Sequence, residues 1–351
     1  MDNDHLESIY SQAYPQIEEL LKGWDEPVFR TRQIWEGLYK HLWDNPLNFT
    51  NLPKPLLEKL AARFSFSSLL PENRLESSDQ ATVKTLFQLH DRTHIETILM
   101  HYRERISLCI STQVGCSLNC SFCATGQMGY SRDLSSAEII EQVLWHARML
   151  KAQEKQLTNI VLMGMGEPFL NYENVMEAIF RLNDARGFSF GERRFTISTA
   201  GIVPAIQRFT SEKHQINLAI SLHAANDRLR SALMPINRKY PLNALMQACR
   251  EYVQRTNRRL TFEWALIDGV NDSDQDAQEL IQLLKGMLCH VNLIPLNPTD
   301  EYQKHAATEK RARDFSSRIQ SAGIPCSIRL RRGIDIQAGC GQLAIRKKSD
   351  A

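Results

Sequence analysis

Apolar positions change their spacing twice along this chain, and the changes divide it. Through Ile17, Leu20 and Leu21, and again through Ile34, Leu38 and Leu42, they recur at helical intervals, and Pro53 and Pro55 close the stretch. Residues 1–60 are therefore predicted as a small helical unit. From about 80 the pattern becomes the alternation of strands, at 82–89, 94–100 and 107–111. Beyond that, short apolar strands predicted at 106–112, 159–163, 194–199, 216–221, 260–267 and 290–295 are interleaved with amphipathic helices. The helices are expected at about 135–150, 171–186, 241–256, 273–287 and 308–322.

Six strands separated by helices imply an α/β core with a parallel sheet. Right-handed crossovers let that sheet curl into a partial (β/α)6 barrel, and an open doubly wound sheet is the alternative. In either arrangement a site is expected at the C-terminal ends of the strands. Those ends carry polar and glycine-containing motifs: Gly164, Met165, Gly166, Glu167 and Pro168 after the second strand, then Ser198 to Gly201, then Ser221 to His223, then Asn297 and Pro298.

Composition narrows the class. Hydrophobic residues make up 43% of the 351 and charged residues 23%, the balance of a globular protein. The segment from Met1 to Glu7 is polar, with no apolar stretch behind it, and no later run is long enough to span a bilayer. A cytoplasmic protein without membrane contact is expected. In that compartment the eight cysteines are better read as metal ligands, reactive thiols or core residues than as a disulfide framework. The net charge of +2 neither demands nor excludes a nucleic-acid partner. Basic residues do cluster: Arg193 and Arg194, Arg255 to Arg259, Lys310 to Arg313, Arg329 to Arg332 and Arg346 to Lys348. Each run also reads as a solvated face.

Cys116, Cys120 and Cys123 place three thiols on one loop after the first core strand. Three thiolates on a four-iron cluster leave one iron open to a ligand, whereas an electron-carrying cluster normally takes four. A zinc knuckle is the alternative, but it needs a fourth Cys or His close by, and the next such residue is His146 on a predicted helix. In GMGEP, glycine allows backbone to approach a ligand closely, and Glu167 suits an amino group. A cysteine in the apolar strand ISLCIS, Cys109, reads by itself more often as a core residue. Glu96 in HIETI reads as an exposed strand residue. Cys249, Cys289 and Cys326 lie in apolar contexts and read as packing residues.

The CxxxCxxC spacing with Phe122 before the last cysteine resembles the radical S-adenosylmethionine (SAM) superfamily. Over nearly the whole chain the sequence resembles one branch of it, the RlmN/Cfr family of RNA adenosine methyltransferases. The similarity is carried by STQVGCSLNCSFCATGQMGYSRDL from Ser111 to Leu134, and by GMGEP, ISTAG, SLHA, LMPIN, GVND, HVNLIPLNP and GIDIQAGCGQL in the same order. EPVFRTRQIWEGLYK near the N-terminus resembles that family's helical RNA-binding domain.

The resemblance implies a partial (β/α)6 radical SAM barrel over 101–335. Residues 1–60 would be a helical RNA-binding accessory domain, 61–100 a strand-rich connection, and 336–351 a tail with a catalytic cysteine. It implies a [4Fe-4S] cluster on Cys116, Cys120 and Cys123, and SAM contacts from Gly166, Glu167, Ser198, Ser221, Leu222, His223 and Asn297. Cys340 would carry the methyl group, Cys109 would be its partner thiol, and Glu96 the proton acceptor.

By the same resemblance two SAM molecules serve each turnover. Carbon 2 of adenine is electron-poor and cannot attack a methyl donor as a nucleophile, so a radical route is needed. The Cys340 thiolate takes a methyl group from one SAM. A radical from the second SAM removes a hydrogen from that methyl group, which then adds to the ring. Glu96 takes the ring proton and Cys109 releases the product by forming a disulfide with Cys340. The implied partners are 23S rRNA at the peptidyl-transferase region, tRNA at the adenosine following the anticodon, and an external electron donor such as flavodoxin.

The segment TDEYQKHAATEK after Pro298 lacks the family's proline and glycine pattern, and QAGC departs from the usual DAAC at Gln337 and Gly339. Carbon-8 methylation, as in the Cfr branch, is the alternative within the family, although Pro295 and QMGYSRDL look more like the carbon-2 group. A radical SAM enzyme acting on protein and a non-catalytic iron-sulfur or zinc RNA-binding module are rivals from other classes. Neither needs both Cys109 and Cys340.

Overall fold

The computed structural model describes residues 6–344, so the basic run from Arg346 to Lys348 lies outside the described residues. Three helices open the chain, α1 (Tyr14–Gly23), α2 (Phe29–Glu36) and α3 (Lys54–Arg63), as the spacing predicts. They bury Ile17, Leu21, Ile34, Leu56 and Leu60. This N-terminal layer is tied to the rest through buried polar groups. Arg148 donates to the Leu42 carbonyl at 2.8 Å and the Tyr10 hydroxyl at 2.7 Å, and Glu141 accepts from the hydroxyls of Ser8 and Ser68.

One ten-stranded sheet forms the body. Its strands are β1 (Leu70–Glu76), β2 (Thr82–Gln88), β3 (His94–His101), β4 (Ile106–Cys109), β5 (Asn159–Leu162), β6 (Phe195–Thr199), β7 (Asn217–Ser221), β8 (Leu260–Leu266), β9 (Cys289–Pro295) and β10 (Cys326–Ile328). They lie side by side in chain order. From β1 to β4 the pairing is antiparallel, and from β4 to β10 it is parallel. The six core strands expected from the apolar runs are present, followed by a three-residue seventh, β10. The strands of residues 70–101 extend the same sheet.

The intervening helices are α4 (Ser136–Lys151), α5 (Tyr172–Asn183), α6 (Val203–Glu212), α7 (Leu242–Thr256), α8 (Asp274–Leu284) and α9 (Glu309–Ser321). Five of them occupy the predicted stretches. The sixth, α6, is not among the expected helices. Pro204 stands in the first turn of the helix, where its missing N–H costs nothing. Strand β1 also escaped notice, since it is an edge strand exposed along its whole length and shows no apolar alternation. Each parallel strand ends on the same side of the sheet, which gathers the polar motifs there.

Candidate functional site

The loop that carries the three cysteines is pinned at its base. Gln113–Gly115 and Tyr130–Asp133 pair as a short antiparallel hairpin. At Gly115 (φ +78°) a Cβ would come within 2.0 Å of the Gly129 carbonyl oxygen, so only glycine lets the two sides close. The loop is then held from outside. The Ser121 amide donates to the Leu233 carbonyl at 2.9 Å and the Ala124 amide to Gly341 at 2.7 Å. Gln127 Nε2 reaches the Thr299 hydroxyl at 3.0 Å, which gives the unusual segment after Pro298 a supporting role.

Cys116, Cys120 and Cys123 line a cleft of about 910 Å³ together with Gly166, Glu167, Ser198, Ser221, His223, Asn297 and Cys340. Ten of the residues singled out in the sequence thus face one space. Leu162, Met163, Ala265, Ile294 and Leu296 give it an apolar wall, the usual character of a small-molecule site. Burial pushes the thiol of Cys116 up to about 12 and those of Cys120 and Cys123 upward too, so the bare thiols are protonated and loading a metal would displace protons. Among the described residues no three His, Cys, Asp or Glu side chains converge on a single ion. Separated thiols on one loop suit a multi-iron cluster, which takes one thiolate per iron, better than a mononuclear zinc.

GMGEP folds against the cysteine loop. Gly166 (φ +102°) is so close to Gln113 that a Cβ would lie 2.5 Å from that side chain. The Gln113 Oε1 accepts from the Glu167 amide at 2.8 Å. Glu167 in turn accepts from the amides of Ala200 at 2.7 Å and Phe169 at 3.0 Å. Burial outweighs these contacts and lifts its carboxyl to about 7.

His223 adopts a left-handed backbone, φ +58°. Its Nδ1 accepts from the Ala265 amide at 2.8 Å, so the neutral ring carries its proton on Nε2, and burial lowers its pKa to about 3. Phe122 packs edge-on against it at 4.8 Å. The strained turn is held by Asn271 of GVND, whose Nδ2 donates to the carbonyls of His223 at 2.8 Å and Ala265 at 2.7 Å.

Arg230 is fully buried and donates to the carbonyls of Ala200, Ser221 and Leu222 and to Asn237 of LMPIN. Two motifs of the sequence therefore act as supports. Leu222 itself turns its side chain into the core and offers only backbone.

Cys340 reaches the cleft from the C-terminal segment. Asn297 Nδ2 donates to its carbonyl at 3.3 Å, and Gly339 leaves room for that approach, since a Cβ there would sit 2.3 Å from Asn297 Nδ2. Cys109, on β4, is buried behind the cleft. Its thiol is pushed up to about 12 by burial and then by the negative field of Cys340, with Arg329 opposing. Arg329 is held more firmly protonated, first of all by Cys340.

Glu96 does not line the cleft. It is buried rather than exposed, accepts from the Ala344 amide at 3.1 Å, and pairs with Lys84 at 3.2 Å. Cys249, Cys289 and Cys326 are buried in the core. Sequence reasoning missed Glu263, a buried carboxyl on β8 that lines the cleft, is raised by burial, and accepts from Asn292 Nδ2 at 2.7 Å. A lone Glu in the apolar run TFEWALI was the signal available. It also missed the support roles of Arg230 and Arg329.

Comparison with known proteins shows the family. The model of the radical SAM superfamily matches residues 110–284. The dual-specificity RNA methyltransferase RlmN 1 of Myxococcus xanthus is 44% identical, over 98% of this chain and 96% of its own. A probable dual-specificity RNA methyltransferase RlmN of Caldanaerobacter subterraneus is 46% identical, over 93% of this chain and 95% of its own. Among solved structures, a radical SAM methyltransferase from Sphaerobacter thermophilus superposes with a TM-score of 0.94 at 48% identity, covering 96% of this chain and 99% of the other.

Proposed function

Because the chain belongs to the RlmN family of radical SAM RNA methyltransferases, we propose that it methylates carbon 2 of adenosine in two RNAs. These are 23S rRNA at the peptidyl-transferase region and tRNA at the position following the anticodon. The observation that carries the reading is Cys340: it lines the same cleft as Cys116, Cys120 and Cys123, while a second thiol, Cys109, lies behind it.

Cys116, Cys120 and Cys123 would hold a [4Fe-4S] cluster, and Gly166, Glu167, Ser198, Ser221, His223, Asn297 and the backbone of Leu222 would hold SAM. When bound, these groups supply one-electron cleavage of SAM to a hydrogen-abstracting radical and, from a second SAM, the carbon to be transferred. Glu167, engaged by two amides, keeps lone pairs for the substrate amino group. His223 offers an Nε2–H donor, and the Ser198 and Ser221 hydroxyls stand 3.4 Å apart on the same wall.

Cys340 carries the one-carbon unit to the adenine, which requires its thiolate at the loading step. Cys109 then attacks the Cys340 sulfur and breaks its bond to the transferred carbon, which takes up a proton to become the methyl group. The one unpaired electron of the adduct is given back to the electron-donor system, and the disulfide left behind is reduced by two electrons from a donor such as flavodoxin. Glu96 takes the ring proton. That role requires the Ala344 contact to open when RNA enters.

The test is anaerobic incubation of cluster-reconstituted protein with SAM, a reductant and unmodified tRNA or 23S rRNA fragment, followed by nucleoside mass spectrometry. 2-Methyladenosine is the expected product. 8-Methyladenosine would place the chemistry at the other carbon, and the absence of both would remove the RNA substrate.

A further inference from the structure

We infer that the cleft on the far side of Cys340 from the cysteine loop is an RNA-backbone clamp, built on Tyr102 with Arg105, Arg331 and Arg332. The inference rests on the RNA methyltransferase reading and names the side chains that hold the nucleic acid. Cys340 and Asn297 line two cavities. One contains the cluster cysteines. The other, of about 350 Å³, is lined by Tyr102, Arg329, Arg331 and Arg332.

Two guanidiniums lie over the Tyr102 ring, Arg105 at 4.2 Å and Arg332 at 4.5 Å from its centroid. Arg332 is anchored by donating to the His101 carbonyl at 3.0 Å, and Arg331 by Asn297 Oδ1 at 3.4 Å. None of these arginines is in a salt bridge with a described residue, whereas Arg132, Arg208 and Arg318 elsewhere are each paired with carboxylates. Asp79 is held below the usual carboxylate range chiefly by the Ser77 hydroxyl, with Arg332 a lesser cause.

Converging cations in no salt bridge among the described residues repel one another, and a polyanion removes the repulsion. Arginine beside an aromatic ring is also the arrangement that grips phosphates and stacks an unpaired base. Cys340 lines both cavities, so a strand whose phosphates are gripped by these arginines lies beside its side chain. The clamp therefore grips the strand on either side of the adenosine rather than reading its sequence.

The test is fluorescence anisotropy of a labelled, unmodified anticodon stem-loop titrated with the cluster-loaded full chain at several salt concentrations. Arg105→Gln and Arg332→Gln are expected to weaken binding about 5- to 10-fold at 0.1 M salt, and each to make the log Kd against log salt slope shallower by about 1. Arg332→Lys should keep the slope, and Lys310→Gln on α9 should bind as the parent does. Because Arg332 also anchors backbone, Arg105→Gln, whose side chain makes only the ring contact, carries the decision, with the thermal midpoint checked beside it. Parental affinity and slope in both glutamine variants would overturn the clamp while leaving the RNA substrate intact. A parent chain that fails to bind RNA would instead overturn the function itself.

Discussion

The two sides of Cys340 are held in place by different means. On the cysteine-loop side, nearly every polar group is fixed by backbone: Glu167 by two amides, His223 by the Ala265 amide, and the strand ends by the buried Arg230. The C-terminal segment, by contrast, is attached mostly through single side-chain hydrogen bonds, to the cysteine loop as well as to the sheet. The Thr125 hydroxyl donates to the Leu343 carbonyl at 2.7 Å, Gln342 Nε2 to Pro298 at 3.1 Å, and Lys84 Nζ to Gln337 at 3.4 Å. On the proposed function, a cleft that steers a reactive species gains from rigidity, and a segment that admits a large substrate gains from contacts that can be exchanged.

The largest expected effect separates the two sides chemically. Cys340→Ala should abolish methylated adenosine while leaving SAM cleavage, measured as 5'-deoxyadenosine, in place. Any methylated product from that variant sinks the carrier role. Gly166→Ala should follow, because the added Cβ meets Gln113 at 2.5 Å and the backbone stays left-handed. A loss of SAM affinity of at least 10-fold is expected by equilibrium binding, and parental affinity would show that the loop tolerates the strain.

Stability changes should divide the same way. Arg230→Met removes a buried cation from three carbonyls and Asn237 and should cost on the order of 3 kcal/mol by chemical denaturation. Thr125→Val loses one tail contact, and about 1 kcal/mol is the expected cost. Equal losses would mean that the tail is as integral as the strand ends.

The smallest effect is a pH slope. His146 is buried, its Nε2 is 2.7 Å from the Thr97 hydroxyl, and burial lowers its pKa to about 3 from 6.5. The unfolded chain takes up that proton as pH falls below 6.5 and the folded chain does not until about 3, so this residue makes stability fall with acidification across that window. His146→Gln should show a shallower loss between pH 6.5 and 4 in denaturation midpoints. An unchanged slope would mean that the folded protein binds the proton after all.

Much of this was legible in the chain because the reactive parts sit at strand ends, where apolar runs stop and rare residue types begin. Cys116, Gly166 and His223 stand out for that reason. What escaped was context. Glu263 looked like one polar residue in a strand, and only the curl of the sheet brings β8 to the cleft wall. Glu96 was readable as a residue but not as a partner of Lys84 and the tail, a pairing across 248 positions from Ala344. Leu222 was read as a contact, yet its side chain belongs to the core.

The chain-order sheet has a consequence for how the molecule is made. Each strand finds its partner in the segment synthesised just before it, so assembly can advance along one edge as the polypeptide emerges, with no strand waiting for a distant mate. The three cysteines of the loop and the walls around them are in place before residue 340 is translated. Cys340 follows all ten strands in the chain, so its segment settles on walls whose strands precede it.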